Sequence, residues 1–94
     1  MKASEVLQSA TDVIGQRGAI YGSPKVNHQR ISARLSQLLD MPITDWQACL
    51  MMVEVKLSRI QETPNHEDSF IDACAYLALA CELISDERDL SVYH

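Results

Sequence analysis

Apolar residues recur along this chain at the spacing of helices rather than strands. Val6, Leu7, Ala10, Val13 and Ile14 follow the three-to-four-residue step that puts side chains on one helical face. That predicts a first helix ending near Arg17, with Gly18 in the left-handed position that closes helices. Ala19 to Ser23 then reads as a connector. Ser23-Pro24 is a start signal: a capping hydroxyl, then a proline whose fixed φ suits the first helical position. Ile31, Leu35 and Leu38 mark the apolar face of a second helix, which stops around Leu39 to Pro42. Asn27 lies one turn before Ile31 on that face, an amide at the edge of an apolar stripe.

Thr44-Asp45-Trp46-Gln47 has the form of a capping box, in which threonine and glutamine side chains each accept from the other's backbone N–H. A third helix is predicted from there to about Glu62, ended by Pro64. A fourth runs from near Glu67 to about Ile84, and the polar stretch 86–94 reads as a flexible tail. No stretch alternates strictly. The expected fold class is therefore all-α, an antiparallel helical bundle of about four helices in a single domain, 1–94. Trp46 to Val53 and Phe70 to Leu83 are apolar nearly all round. Helices without a polar face are covered on several sides, and four short helices cannot cover two of their own number. A homo-oligomer sharing helices three and four follows as an expectation.

Composition narrows the function classes. The chain has 94 residues, 47% of them apolar, and a formal net charge of −5 with no basic run. Nucleic-acid binding draws most of its affinity from a positive footprint, so no nucleic-acid partner is expected. Cys49, Cys74 and Cys81 form no C-x-x-C pair and sit in apolar stretches, which reads as buried, reduced thiols in a cytoplasmic protein. Glu5, Gln8 and Asp12 interrupt Met1 to Gly15, so no secretory leader is expected. No uncharged run approaches the ~18 residues of a membrane helix, so no membrane partner is expected either.

Two clusters carry candidate chemistry. In an antiparallel hairpin, partners lie equal distances from the turn, and counting out from Pro64 sets Lys56 against Asp72 and Arg59 within a residue of Asp68. Each pair of like charges is one turn apart on its helix, and Tyr76 continues the acidic face inward. Such a ladder could serve only to fix helix register, since charges at an apolar interface must be paired. It could equally hold a ligand, with arginine gripping phosphate oxygens as a fork and lysine as a point charge. Asp68 and Asp72, with Glu54, could hold a magnesium ion, which takes one or two carboxylates plus substrate phosphates. His66 beside them invites a metal reading, but the spacing matches no common transition-metal motif.

The second cluster is Arg17, Tyr21, Gly22, Ser23, Asn27 and His28. Gly22 would let a ligand approach the backbone, Pro24 opens a helix whose N-terminus favours an anion, and Tyr21 could stack on a base. The plain alternatives are a turn for Tyr21-Gly22 and a surface position for His28. Asn27 needs a hydrogen-bond partner if buried, from backbone or ligand.

The run Asp68-Ser-Phe-Ile-Asp72-Ala-Cys-Ala-Tyr76-Leu-Ala-Leu-Ala-Cys-Glu82-Leu resembles the second acidic helix of MazG-like all-α nucleotide pyrophosphatases. Arg17-Gly-Ala-Ile-Tyr21-Gly22-Ser-Pro24-Lys-Val-Asn27-His28, Met51-Met52-Val-Glu-Val-Lys56-Leu-Ser-Arg59 and His66-Glu-Asp68-Ser69 resemble small, often phage-encoded MazG-like proteins. The resemblance implies a dimeric or tetrameric bundle that binds nucleoside triphosphates with magnesium. Its first acidic helix would carry three metal-binding glutamates, whereas Leu50, Met51 and Met52 stand here and only Glu54 remains. Too few ligands are left for multi-magnesium hydrolysis, while a phosphate-binding half survives in Lys56 and Arg59. The leading expectation is a protein that binds a nucleotide or nucleotide-derived signal, sequestering it as a phage anti-defence protein. The expected ligand contacts are Arg17, Tyr21, Gly22, Asn27, His28, Lys56, Arg59, His66, Asp68, Ser69, Asp72 and Tyr76. The alternatives are a magnesium-dependent nucleoside triphosphate pyrophosphohydrolase and a non-catalytic helical structural or adapter protein.

Overall fold

The computed structural model describes residues 1–91, with side chains through Asp86. Its four helices are α1 (Ala3–Tyr21), α2 (Pro24–Leu39), α3 (Asp45–Glu62) and α4 (Glu67–Ser91), with no strand among the described residues. Helices α3 and α4 form the central hairpin, and their mutual interface is the most extensive. Helix α1 lies along α4, α2 lies along α3, and the two outer helices touch each other sparingly.

Local chemistry accounts for most boundaries. The Thr44 box is complete: Gln47 N–H donates to Thr44 Oγ1 at 3.1 Å and Thr44 N–H donates to Gln47 Oε1 at 2.9 Å. Asp40 ends α2 in the left-handed region, φ 51°. Ser36 Oγ accepts from Ile43 N–H at 2.9 Å, which pins the following loop back onto the helix.

Two boundaries differ from the pattern. Helix α1 continues through Gly18 to Tyr21, because a glycine inside a helix costs only about 1 kcal/mol and does not by itself stop one. The stop is Gly22, at φ 80° and ψ −162°, a conformation that side chains disfavour. Ser23, held extended by the proline that follows it, precedes α2 but makes no side-chain capping hydrogen bond. Helix α4 runs past Ile84 to Ser91, so the first part of the expected tail is helical, and residues 92–94 lie outside the described residues.

The core mixes leucine, isoleucine and valine with many small residues, which let helices approach closely. Cys49, Leu79, Ala80 and Leu83 pack together with Trp46 and Ile14, and Ala10, Ile71 and Ala75 pack with Val6, Val13 and Cys74. Cys49 is fully enclosed, at 0% exposure. Burial, reinforced by the Asp45 charge, pushes its thiol up to about 11. The expectation of three buried thiols holds for Cys49 alone: Cys74 is half-buried and Cys81 exposed.

Candidate functional site

Ending α1 at Gly22 rather than Gly18 places Arg17 and Tyr21 one helical turn apart, on the face that also carries Val13, Ile14 and Gly18. That face forms one wall of a cleft of about 420 Å³, and the first turns of α2, through Pro24, Asn27 and His28, form another. Lys56 from α3 and Ala75, Tyr76 and Leu79 from α4 complete it. The volume lies within the ~300–1,000 Å³ typical of small-molecule sites.

The charged groups meet through Asp72. Lys56 Nζ lies 3.0 Å from Asp72 Oδ2, and Arg17 Nη2 lies 3.1 Å from Asp72 Oδ1. Lys56 is only 8% exposed, whereas the Arg17 side chain keeps 44% of its surface. The hairpin register thus gives the expected Lys56–Asp72 pair, but the second cation comes from α1. One carboxylate cannot neutralise two cations, so positive charge is left over at the cleft. Arg17 spends one of its five N–H donors on Asp72, and Lys56 one of its three.

Arg59 and Asp68 do not form the second rung. Both are exposed, and no ion pair joins them among the described residues. The reason is helical phase. Cys49, Val53, Lys56 and Ile60 follow a four-three-four step and turn inward, which leaves Arg59 beside that seam rather than in it. On α4 the inward position next to Asp68 is Ser69, at 2% exposure. Ser69 Oγ lies 3.0 Å from His66 Nδ1, a local contact in the α3–α4 turn, and neither residue lines the cleft. Arg59, His66, Asp68 and Ser69 therefore gather at the hairpin turn, apart from Arg17, Tyr21, Gly22, Asn27, His28, Lys56 and Tyr76, which line the cleft. Glu54 and Asp68 are exposed and Asp72 is taken up by its two cations, and no group of three metal-ligating side chains forms among the described residues.

His28 departs from the surface reading. It is 4% exposed, its Nδ1 lies 2.8 Å from the Pro24 carbonyl oxygen, and its ring meets Tyr76 edge-on with centroids 6.0 Å apart. The apolar lining of Val13, Ile14, Ala75 and Leu79 went unread in the sequence as a site. The signal was the α1 stripe itself, once extended past Gly18.

The model of a domain of unknown function, DUF6378, matches residues 5–84. The chain is 32% identical over 75 residues to the Gene 55 protein of Mycobacterium phage D29, covering 79% of this chain and 50% of that protein. It is 31% identical over 87 residues to the Gene 55 protein of Mycobacterium phage L5, covering 88% and 56% respectively. The chain spans about half the length of these curated relatives. No solved structure matches it. No helix among the described residues is long and apolar enough to cross a membrane.

Proposed function

This chain belongs to the DUF6378 family, and from that premise we propose that it binds a phosphate-bearing small molecule, a nucleotide or nucleotide-derived signal, in the cleft between α1 and α2. The observation that carries this reading is the convergence of Arg17 and Lys56 on the single carboxylate of Asp72. The result is a surplus of positive charge beside a cavity, in a chain whose formal charge is −5. The remaining guanidinium and ammonium donors suit phosphate oxygens. Tyr21, exposed at the edge of the cleft, offers a ring face to a base, and Asn27 an amide to read its edge. Sequestering such a ligand against host defence is consistent with matched relatives that are phage proteins. The resemblance to MazG-like bundles supports the same ligand class.

Calorimetric titration without metal, across linear nucleotides, cyclic dinucleotides and ADP-ribose derivatives, tests the reading. Binding that Arg17→Met with Lys56→Met removes is the expected result, and silence across the panel overturns it. Release of pyrophosphate at saturating magnesium, lost in Asp72→Asn, would favour the pyrophosphohydrolase instead.

A second observation supports self-association. From Phe70 to Cys81, Phe70, Cys74, Leu77, Ala78 and Cys81 share one face of α4 that carries no charge after Glu67, and Leu77 is 50% exposed. The four-three-four step of Phe70, Cys74, Leu77 and Cys81 is that of a helix–helix seam, suited to a second copy of the chain. Light scattering after size exclusion should give a multimer that Leu77→Lys dissociates, and a monomeric wild type ends this reading.

A further inference from the structure

One polar atom beside the cleft has no part in holding an anion. Because a carbonyl oxygen only accepts, the 2.8 Å contact with Pro24 puts the proton on His28 Nδ1. In the neutral ring Nε2 then presents a lone pair. That atom is buried and has no hydrogen-bond partner among the described residues. Buried polar atoms are met in nearly all folded proteins, and an unmet acceptor costs stability. Nε2 lies on the edge of the ring away from the α2 backbone that Nδ1 contacts. The ring's aromatic neighbour is Tyr76, with the planes at 80°, and both residues line the cleft. Tyr76 makes no hydrogen bond of its own among the described residues, so nothing polar pins it in place.

We infer, resting on the phosphate-binding reading, that the ligand carries a neutral hydrogen-bond donor besides its anionic group, and that this donor reaches His28 Nε2 as the Tyr76 ring turns aside. A sugar hydroxyl and a base N–H share that chemistry. The labour of recognition is divided: Arg17 and Lys56 hold charge, which any phosphate supplies, and His28 selects among phosphorylated compounds by what else they carry. A phosphate ester with no donor at that position leaves the acceptor unmet.

Calorimetry on the full chain separates the two sources. Ribose 5-phosphate is compared with its 2-deoxy and 3-deoxy forms, AMP with purine riboside 5′-monophosphate, and inorganic phosphate supplies the anion alone. In one arm the compound bearing the donor should bind about ten- to a hundredfold tighter than its partner, and His28→Phe should erase that difference. Equal binding within every pair, or a difference that survives His28→Phe, overturns the inference. Nitrogen-15 spectra of the wild type decide the matter even if the variant does not fold. Nε2 should begin as an unprotonated ring nitrogen and shift as the ligand donates to it. An unmoved Nε2 signal alongside intact phosphate binding sinks the role of His28 and leaves the phosphate site standing. No binding by any compound, inorganic phosphate included, removes both.

Discussion

Replacing Asp72 with asparagine removes one negative charge from between two cations while keeping the shape of the side chain. The cost follows from the burial of the partners. The Lys56 and Asp72 side chains retain 10% and 14% of their surface, so the ammonium loses its counter-charge where water cannot replace it. Breaking a buried pair this way costs about 3–5 kcal/mol. The lower end applies here, because the asparagine carbonyl still accepts from Lys56 and the lysine stem can carry its amine toward the cleft. Arg17, with 44% of its side chain exposed, adds at most about 0.5 kcal/mol after solvent screening. A loss of about 3 kcal/mol lowers the Tm of a domain this size by roughly 12–24 °C. Circular dichroism with heat and urea reads both quantities. Lys56→Met combined with Asp72→Leu should recover most of the loss, since no charge is then left unpaired. Inorganic phosphate adds a second measure. Bound ligand stabilises by about 2.7 kcal/mol at a hundredfold excess over Kd, and an anion lodged between Lys56 and Arg17 restores the missing charge. Phosphate should therefore raise the Tm of Asp72→Asn more than that of the wild type. An Asp72→Asn protein within about 0.5 kcal/mol of wild type, or equal phosphate gains in both, refutes the reasoning.

Three further outcomes are expected. Gly22→Ala should cost about 1–3 kcal/mol in chemical unfolding, through its backbone angles alone, since a Cβ there would meet nothing within 4 Å. Thr44→Ala should cost about 1 kcal/mol by removing the hydroxyl that accepts from Gln47 N–H, with the fraying confined in hydrogen exchange to the first turn of α3. The Cys49 thiol, raised from 9.0 to about 11, favours the folded state only while protonated. Its contribution is therefore complete below pH 9 and lost as pH rises through about 11. Thiol titration of the native protein should modify Cys81 promptly and Cys49 only on unfolding; rapid native reaction at Cys49 would contradict its enclosure.

What could be read in the sequence was what depends on neighbours along the chain. The Thr44–Gln47 box, the α3–α4 turn and the Lys56–Asp72 pairing are local, the last because a tight turn sets the register of the arms it joins. Arg17 reaching Asp72 depends on how α1 lies on α4, which no local rule specifies. Arg59 leaves the seam for a different reason: three residues beyond Lys56 is 60° short of a full helical turn, enough to move a side chain from seam to solvent. His28 combined both cases. Its bond to the Pro24 carbonyl is local, but its burial against Tyr76 required α2 and α4 to be brought together.

Gly22 and Ser23 are the whole of the link between two helices that rest on opposite arms of the hairpin. The chain therefore straddles its own centre like a rider, one leg against α4 and the other against α3, with the saddle at the cleft. A rider cannot lift one leg without shifting in the seat. Helices α1 and α2 each supply a wall of the cavity while resting on different arms, so a motion that peels either helix from its arm reshapes that cavity.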